Sequence, residues 1–476
     1  MERIKFRHAP LAAAVALTVL VPAKASLLEI PSPAIDVYQV DSQHVLTGYD
    51  VVTLPEGQFG VLWSEHDDDL YSYDYVKLQR FDQNGEPLGE EITVYQVVGY
   101  ASTRQPVIAA DETGRMAVAW AIDENLEIDT DGCDDRIEIA RISQDGTVDN
   151  VSVDIDSGCR PDIAMDADGD IALVWQVGEG IRRRAKLQTF LADGAEYSEV
   201  NGLGQKEPSV VFSSDGTLLA GWNQRGRPRG QRFSLDGTRL GDEFRVDTDI
   251  TYSDSSTILD TLTVAADAEG GFVAFWNQIQ PNIDVDEDRL TKRGQRWHSD
   301  GTPGAELKFG DSEPDGRYPY GVVGDATFSA NAQGDVAAVW IRHAEDELPE
   351  PKITLIDGTN TVIDNERLFV SDDELSVTTQ LGQPQVALHN EGAVLVWSQR
   401  EEDGPETLRA RVFKAPPPPP EEPEEEPDDD VVEEEAPASN DDNDSNGSGG
   451  SGGLVLGILM TLAGALRWHT RKGGIR

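Results

Sequence analysis

The sequence predicts an all-β protein, a seven-bladed β-propeller of four-stranded blades, and three observations carry that expectation. A phrase of apolar run, Asp/Asn/Gly turn and second apolar run ends in tryptophan at Trp63, Trp120, Trp175, Trp222, Trp276, Trp340 and Trp397. A second strand, turn, strand phrase follows each tryptophan, clearest as GQRFSLDGTRLGDEFRVD at 230–247. The segment AIDVYQV at 34–40 resembles the fourth strand of a unit, and the last unit stops after its third strand, LRARVF at 408–413. The strand missing at one end stands at the other, so strand pairing can close a ring and leave only short, protected edges.

Each half-unit reads as a hairpin for a local reason. Glycine stands six residues before each of the first six tryptophans, at Gly57, Gly114, Gly169, Gly216, Gly270 and Gly334, and slips by one to Gly392 in the last copy. Asp/Asn-Gly turns supply the twist that joins antiparallel strands. Successive tryptophans lie 47 to 64 residues apart by these positions, enough for four strands and their loops. The first two strands of a unit are small and apolar (MAVAW, IALVW), as if covered on both faces, and the third and fourth carry more charge. A large aromatic at a fixed strand position is a packing solution, so the tryptophans are expected between blades. Loops between strands one and two, and between three and four, are short. The links between strands two and three and between blades are long and mostly acidic, and any ligand is expected on the face that they share.

The chain has 476 residues with 88 acidic and 39 basic side chains, a formal net charge of −49. Such a field repels a phosphate backbone or an anionic membrane surface, so nucleic acid is not an expected partner. Only two cysteines occur, Cys133 in a link between strands two and three and Cys159 in a link between blades. Both links project from the same face, so a disulfide is expected there.

Outside the propeller, 34–414, the composition changes. Residues 1–25 show a basic start, an apolar run and an Ala-Lys-Ala site, the pattern of a secretory signal peptide. Residues 415–453 are rich in proline, acid, glycine and serine, a disordered spacer. Residues 454–476 combine a short apolar helix with a basic tail, the one point of expected membrane contact.

That ending, with Gly449, Gly450, Gly452 and Gly453 before the apolar helix, resembles the GlyGly-CTERM sorting signal of Gram-negative bacteria. The resemblance implies cleavage by a rhomboid-type protease, rhombosortase, and delivery to the cell surface. A permanent single-span anchor is the alternative. The repeats look like those of large secreted bacterial surface proteins, which implies no activity.

Candidate chemistry is sparse. Three aspartate runs have the alternate spacing of Ca²⁺ loops: Asp129, Asp131 and Asp134; Asp166, Asp168 and Asp170; Asp284, Asp286 and Asp288. Alternate carboxylates can converge hard oxygen ligands on one cation, as in integrin-type propellers, and Ca²⁺ is the one cofactor expected. No HExxH, GxSxG, P-loop or dinucleotide fingerprint is present. Arg104 and Arg160 open equivalent inter-blade links, one short of the arginine cluster that a sialidase-like site needs. The expected function is a surface-displayed binding or adhesion module for an extracellular protein or glycan, taken at the loop-rich, acidic face. The alternative is a polysaccharide hydrolase or lyase on the same scaffold.

Overall fold

The computed structural model describes residues 32–414, apart from loop segments of which the longest are 124–131, 248–257 and 310–325. The expected signal peptide, acidic spacer, sorting glycines and terminal helix lie outside the described residues. Within them no helix is long and apolar enough to cross a membrane.

Seven antiparallel sheets follow one another along the chain, each with four principal strands. Blade 3 is representative: Cys159–Met165, Ile171–Glu179, Arg184–Phe190 and Glu196–Asn201, paired in that order. Blade 7 takes Gln385–His389, Gly392–Arg400 and Thr407–Lys414 from the C-terminal end and Ile35–Gln39 from the N-terminal end. Ile35 pairs with Ala410 and Tyr38 with Leu408, so the ring closes between the two termini as the sequence predicts.

Burial follows position in the blade. The second strands are enclosed along nearly their whole length, as in Met116–Asp123 and Leu218–Asn223, because neighbouring blades cover both faces. The first strands depart from expectation: Ser102–Ala110 and Lys206–Phe212 mix buried with partly exposed positions. They line the central axis, where one side meets solvent, so only half of their side chains need be apolar.

Seven separate apolar clusters fill the seven interfaces between blades, including the one that joins blades 7 and 1 through Val51, Phe59, Trp63, Val394 and Val412. Each repeated tryptophan belongs to the cluster shared with the preceding blade, and none is more than 4% exposed. The packing role read from the sequence holds.

The turns between strands one and two explain the glycine spacing. The first six spaced glycines adopt φ between +71° and +90°, a region that costs a residue with a Cβ. The seventh hairpin is tighter, with His389 paired directly to Gly392, so its glycine belongs to the strand and the spacing slips.

Candidate functional site: the loop-rich mouth

The innermost strands are interrupted near their loop-rich ends. Register shifts fall between Leu46 and Gly48, Arg104 and Val107, Cys159 and Asp162, Lys206 and Ser209, and Asp260 and Leu262. In blades 2, 3 and 4 the interruption holds Gln105, Arg160 and Glu207, each followed by proline, which has no N–H to continue the ladder. All three have left-handed backbones, φ 54°, 51° and 49°. Such conformations cost side-chain-bearing residues about 1–3 kcal/mol each and persist only where the surroundings fix them.

Here the surroundings are one another. Gln105 Oε1 accepts the Arg160 backbone N–H at 2.8 Å, the Arg160 guanidinium donates to Glu207 Oε1, and the Glu207 N–H donates to Gln176 Oε1 at 3.4 Å. A polar chain therefore crosses three successive blades at one repeat position. Arg160 remains 47% exposed beside it.

Arg104, next to Gln105, is committed elsewhere. It donates from Nε and Nη2 to the two oxygens of buried Asp135 at 3.0 and 2.5 Å, and also approaches Asp123 at 3.1 Å. Arg104 and Arg160 are thus spent on different carboxylates and do not form an arginine cluster. In blade 1, His66 Nδ1 lies 2.8 Å from Asp74 Oδ2, and Asp74 also accepts the backbone N–H groups of Asp67 and Thr103. Burial raises the Asp74 pKa against those bonds. This pair ties blade 1 to blade 2.

Below the mouth, side chains of the first strands clip neighbouring blades together. Asp50 accepts the N–H of Ile108 at 3.0 Å, Asp162 that of Val210 at 2.9 Å, and Ser209 Oγ that of Val264 at 3.1 Å. Burial pushes the Asp50 pKa up to about 7 against two backbone hydrogen bonds, with the Asp162 charge adding to the rise, and burial raises Asp162 too.

The disulfide Cys133–Cys159 is formed, with Cα atoms 4.8 Å apart. Its role is wider than pinning its own loop. The short strand Gly132–Cys133 leaves blade 2 and pairs with Gly178 and Glu179 of blade 3, extending the lane that begins at Cys159. Gln176 Nε2 donates to Cys133 Sγ at 3.0 Å. The bond is a staple between blades 2 and 3, directly behind the polar chain.

The aspartate runs fare differently. Asp166 Oδ1 accepts the N–H groups of Asp168 and Asp170 at 3.0 and 2.8 Å, and Asp170 accepts that of Ala192 at 2.7 Å. Asp111 and Asn331 close their turns in the same way, so the spacing serves the hairpin. Asp129, Asp131, Asp134, Asp284 and Asp286 lie outside the described residues, and Asp288 falls in the strand Glu287–Trp297. Among the described residues no group of three or more His, Cys, Asp or Glu side chains is placed to hold a metal ion.

Sequence reasoning pointed to this face and to Arg160 but missed Gln105 and Glu207. The signal was present as Gln-Pro, Arg-Pro and Glu-Pro at the start of three first strands, but the link residues differ between copies and mask the shared proline.

The sequence matches no family model and no curated protein. Among solved structures, a Dyadobacter fermentans protein of unknown function is similar at 12% identity, with 80% of this chain and 98% of that chain covered and a TM-score of 0.47. A polysaccharide lyase described as an ulvan lyase is similar at 10% identity over 78% of this chain and 95% of its own, TM-score 0.48. Trypanosoma rangeli sialidase is similar at 10% identity over 82% of this chain and 59% of its own, TM-score 0.41. At such identities the likeness concerns the arrangement of blades.

Proposed function

We propose that the protein is an exported binding module, displayed at the cell surface, that takes an extracellular glycan or protein at the mouth of its loop-rich face. The observation that carries this reading is the chain Gln105, Arg160, Glu207: three strained positions on consecutive blades, joined by hydrogen bonds, with Arg160 half open to solvent. Strain held at matching positions of a rigid ring is a means of fixing polar groups in advance, which lowers the ordering cost of binding. The disulfide supports export, since such bonds persist in oxidising compartments. Display follows from the C-terminal signal and its rhomboid-type protease.

The test is binding of the mature protein to arrayed glycans and matrix proteins, with and without Ca²⁺, against the variant Gln105→Ala, Glu207→Gln. The expected outcome is a defined ligand whose affinity falls about tenfold in the variant, the worth of one or two lost charge-assisted hydrogen bonds. Undiminished binding by the variant would remove the mouth from the reading. Release of new reducing or unsaturated ends from a bound glycan would favour the hydrolase or lyase alternative.

A further inference from the structure

The loop-rich face, whose long links are mostly acidic, also carries cations. Four exposed cations, Arg182, Arg184, Lys206 and Arg225, gather on blades 3 and 4 at that face. Arg182 and Arg184 lie where blade 3 enters its third strand, Lys206 opens the first strand of blade 4, and Arg225 lies in the link to Pro228–Phe233.

Hydrogen bonds make these positions one surface. Ala185, next to Arg184, exchanges backbone hydrogen bonds with Leu203 and Gly204 at 3.0 Å, just before Lys206. The Arg225 N–H donates at 3.1 Å to Oε1 of Gln205, the residue before Lys206. Among the described residues Arg182, Lys206 and Arg225 have no acidic partner, and the Arg184 guanidinium donates only to the Arg183 carbonyl. Cations further along the same strands are paired, Lys186 with Glu199 at 3.3 Å and Arg229 with Glu243 at 3.7 Å.

We propose that this sector docks an anionic polysaccharide, a polymer that repeats carboxylate or sulfate groups along its sugars. Clustered like charges repel one another, and an anionic chain laid across them relieves that repulsion. Three of the four are arginine, whose planar fork matches carboxylate and sulfate oxygens two at a time. The cations are spread over two blades and do not converge on a point, which suits a polymer better than a small anion. The net charge of −49 does not forbid this contact. At physiological salt, charges beyond about 8 Å are largely screened, so a bound segment feels mainly the sector beneath it.

Affinity should therefore pass through a maximum as salt rises. At low salt the field of the whole protein repels the polymer, and at high salt the contact pairs are screened. The inference rests on reading this face as a binding surface, but it invokes different residues from the mouth.

The experiment uses the full chain with polygalacturonate, a neutral dextran of similar length and duplex DNA as probes, from about 0.02 to 0.5 M salt. Polygalacturonate should bind in preference to both, and Arg182→Glu, Arg184→Glu or Lys206→Glu, Arg225→Glu should each weaken it by at least about tenfold without altering the fold. Equal binding of dextran, DNA binding as tight as that of polygalacturonate, or charge-reversed variants that bind undiminished would overturn the proposal. The two readings separate cleanly: loss on charge reversal with Gln105→Ala, Glu207→Gln silent would keep the sector and discard the mouth, and the opposite pattern would do the reverse.

Discussion

Single side chains on the innermost strands decide how the blades are clipped, and Asp50 among them has a measurable signature. Its pKa, pushed up to about 7 by burial, lies above the ordinary aspartate value of the unfolded chain. The folded state therefore holds a proton that the unfolded state has lost between about pH 4 and 7, and this contribution to stability falls as pH rises through that window. A rise from the ordinary aspartate value to about 7 corresponds to at most about 4 kcal/mol. Denaturant titrations from pH 4.5 to 8 should show a downward slope that Asp50→Asn flattens, whatever the variant's absolute stability. An identical slope in wild type and variant would contradict the assignment. The position is invisible in the sequence, since an aspartate in a strand among 88 acidic residues carries no mark. The tryptophans were legible because bulk at a fixed strand position has one use. Their complement was not: a Cβ on Gly204 would stand 1.7 Å from the Trp222 ring, a fit that only coordinates reveal.

At the level of strands and turns, the periodic parts of the blade were readable because a hairpin states its own chemistry in adjacent residues. Elements that borrow a partner from another blade were not. The strand Gly132–Cys133 is two residues long, carries no β pattern and exists because blade 3 offers it an edge. Its disulfide closes a separation of 26 residues, worth about 3 kcal/mol in the chain-entropy model. It also holds Asp135, whose carbonyl accepts the Gly158 N–H at 2.7 Å and whose carboxylate orients Arg104. Replacing both cysteines by alanine should leave the far-UV signature of the ring intact and lower stability by about 3 kcal/mol. Hydrogen exchange should rise at Asp135 and Gly158 and stay unchanged in blades 5 and 6. Global loss of structure would mean that the staple helps decide whether the ring forms.

The whole molecule depends on one five-residue strand. A solenoid of seven blades would have two free ends, whereas here every blade has two neighbours, and the last interface rests on the N-terminal strand. Ile35, Val37 and Tyr38 pack on the cluster that joins blades 7 and 1. The Tyr38 ring lies 5.1 Å from that of Trp63, and its hydroxyl donates to buried Glu65 at 2.8 Å. Val40 donates its N–H to the Glu406 carbonyl at 2.9 Å and is 3% exposed. Deleting residues 34–40 removes these contacts and also bares the edge of Thr407–Lys414, a row of unpaired backbone groups ready to pair with another chain. Because the interfaces are linked in a ring, the loss should spread: thermal unfolding should move to lower temperature than in the intact protein and broaden as blades 7 and 1 open first. Size-exclusion chromatography should then find oligomers. A truncated chain that stays monomeric and melts at the wild-type temperature would show that six interfaces suffice and that closure contributes nothing to stability.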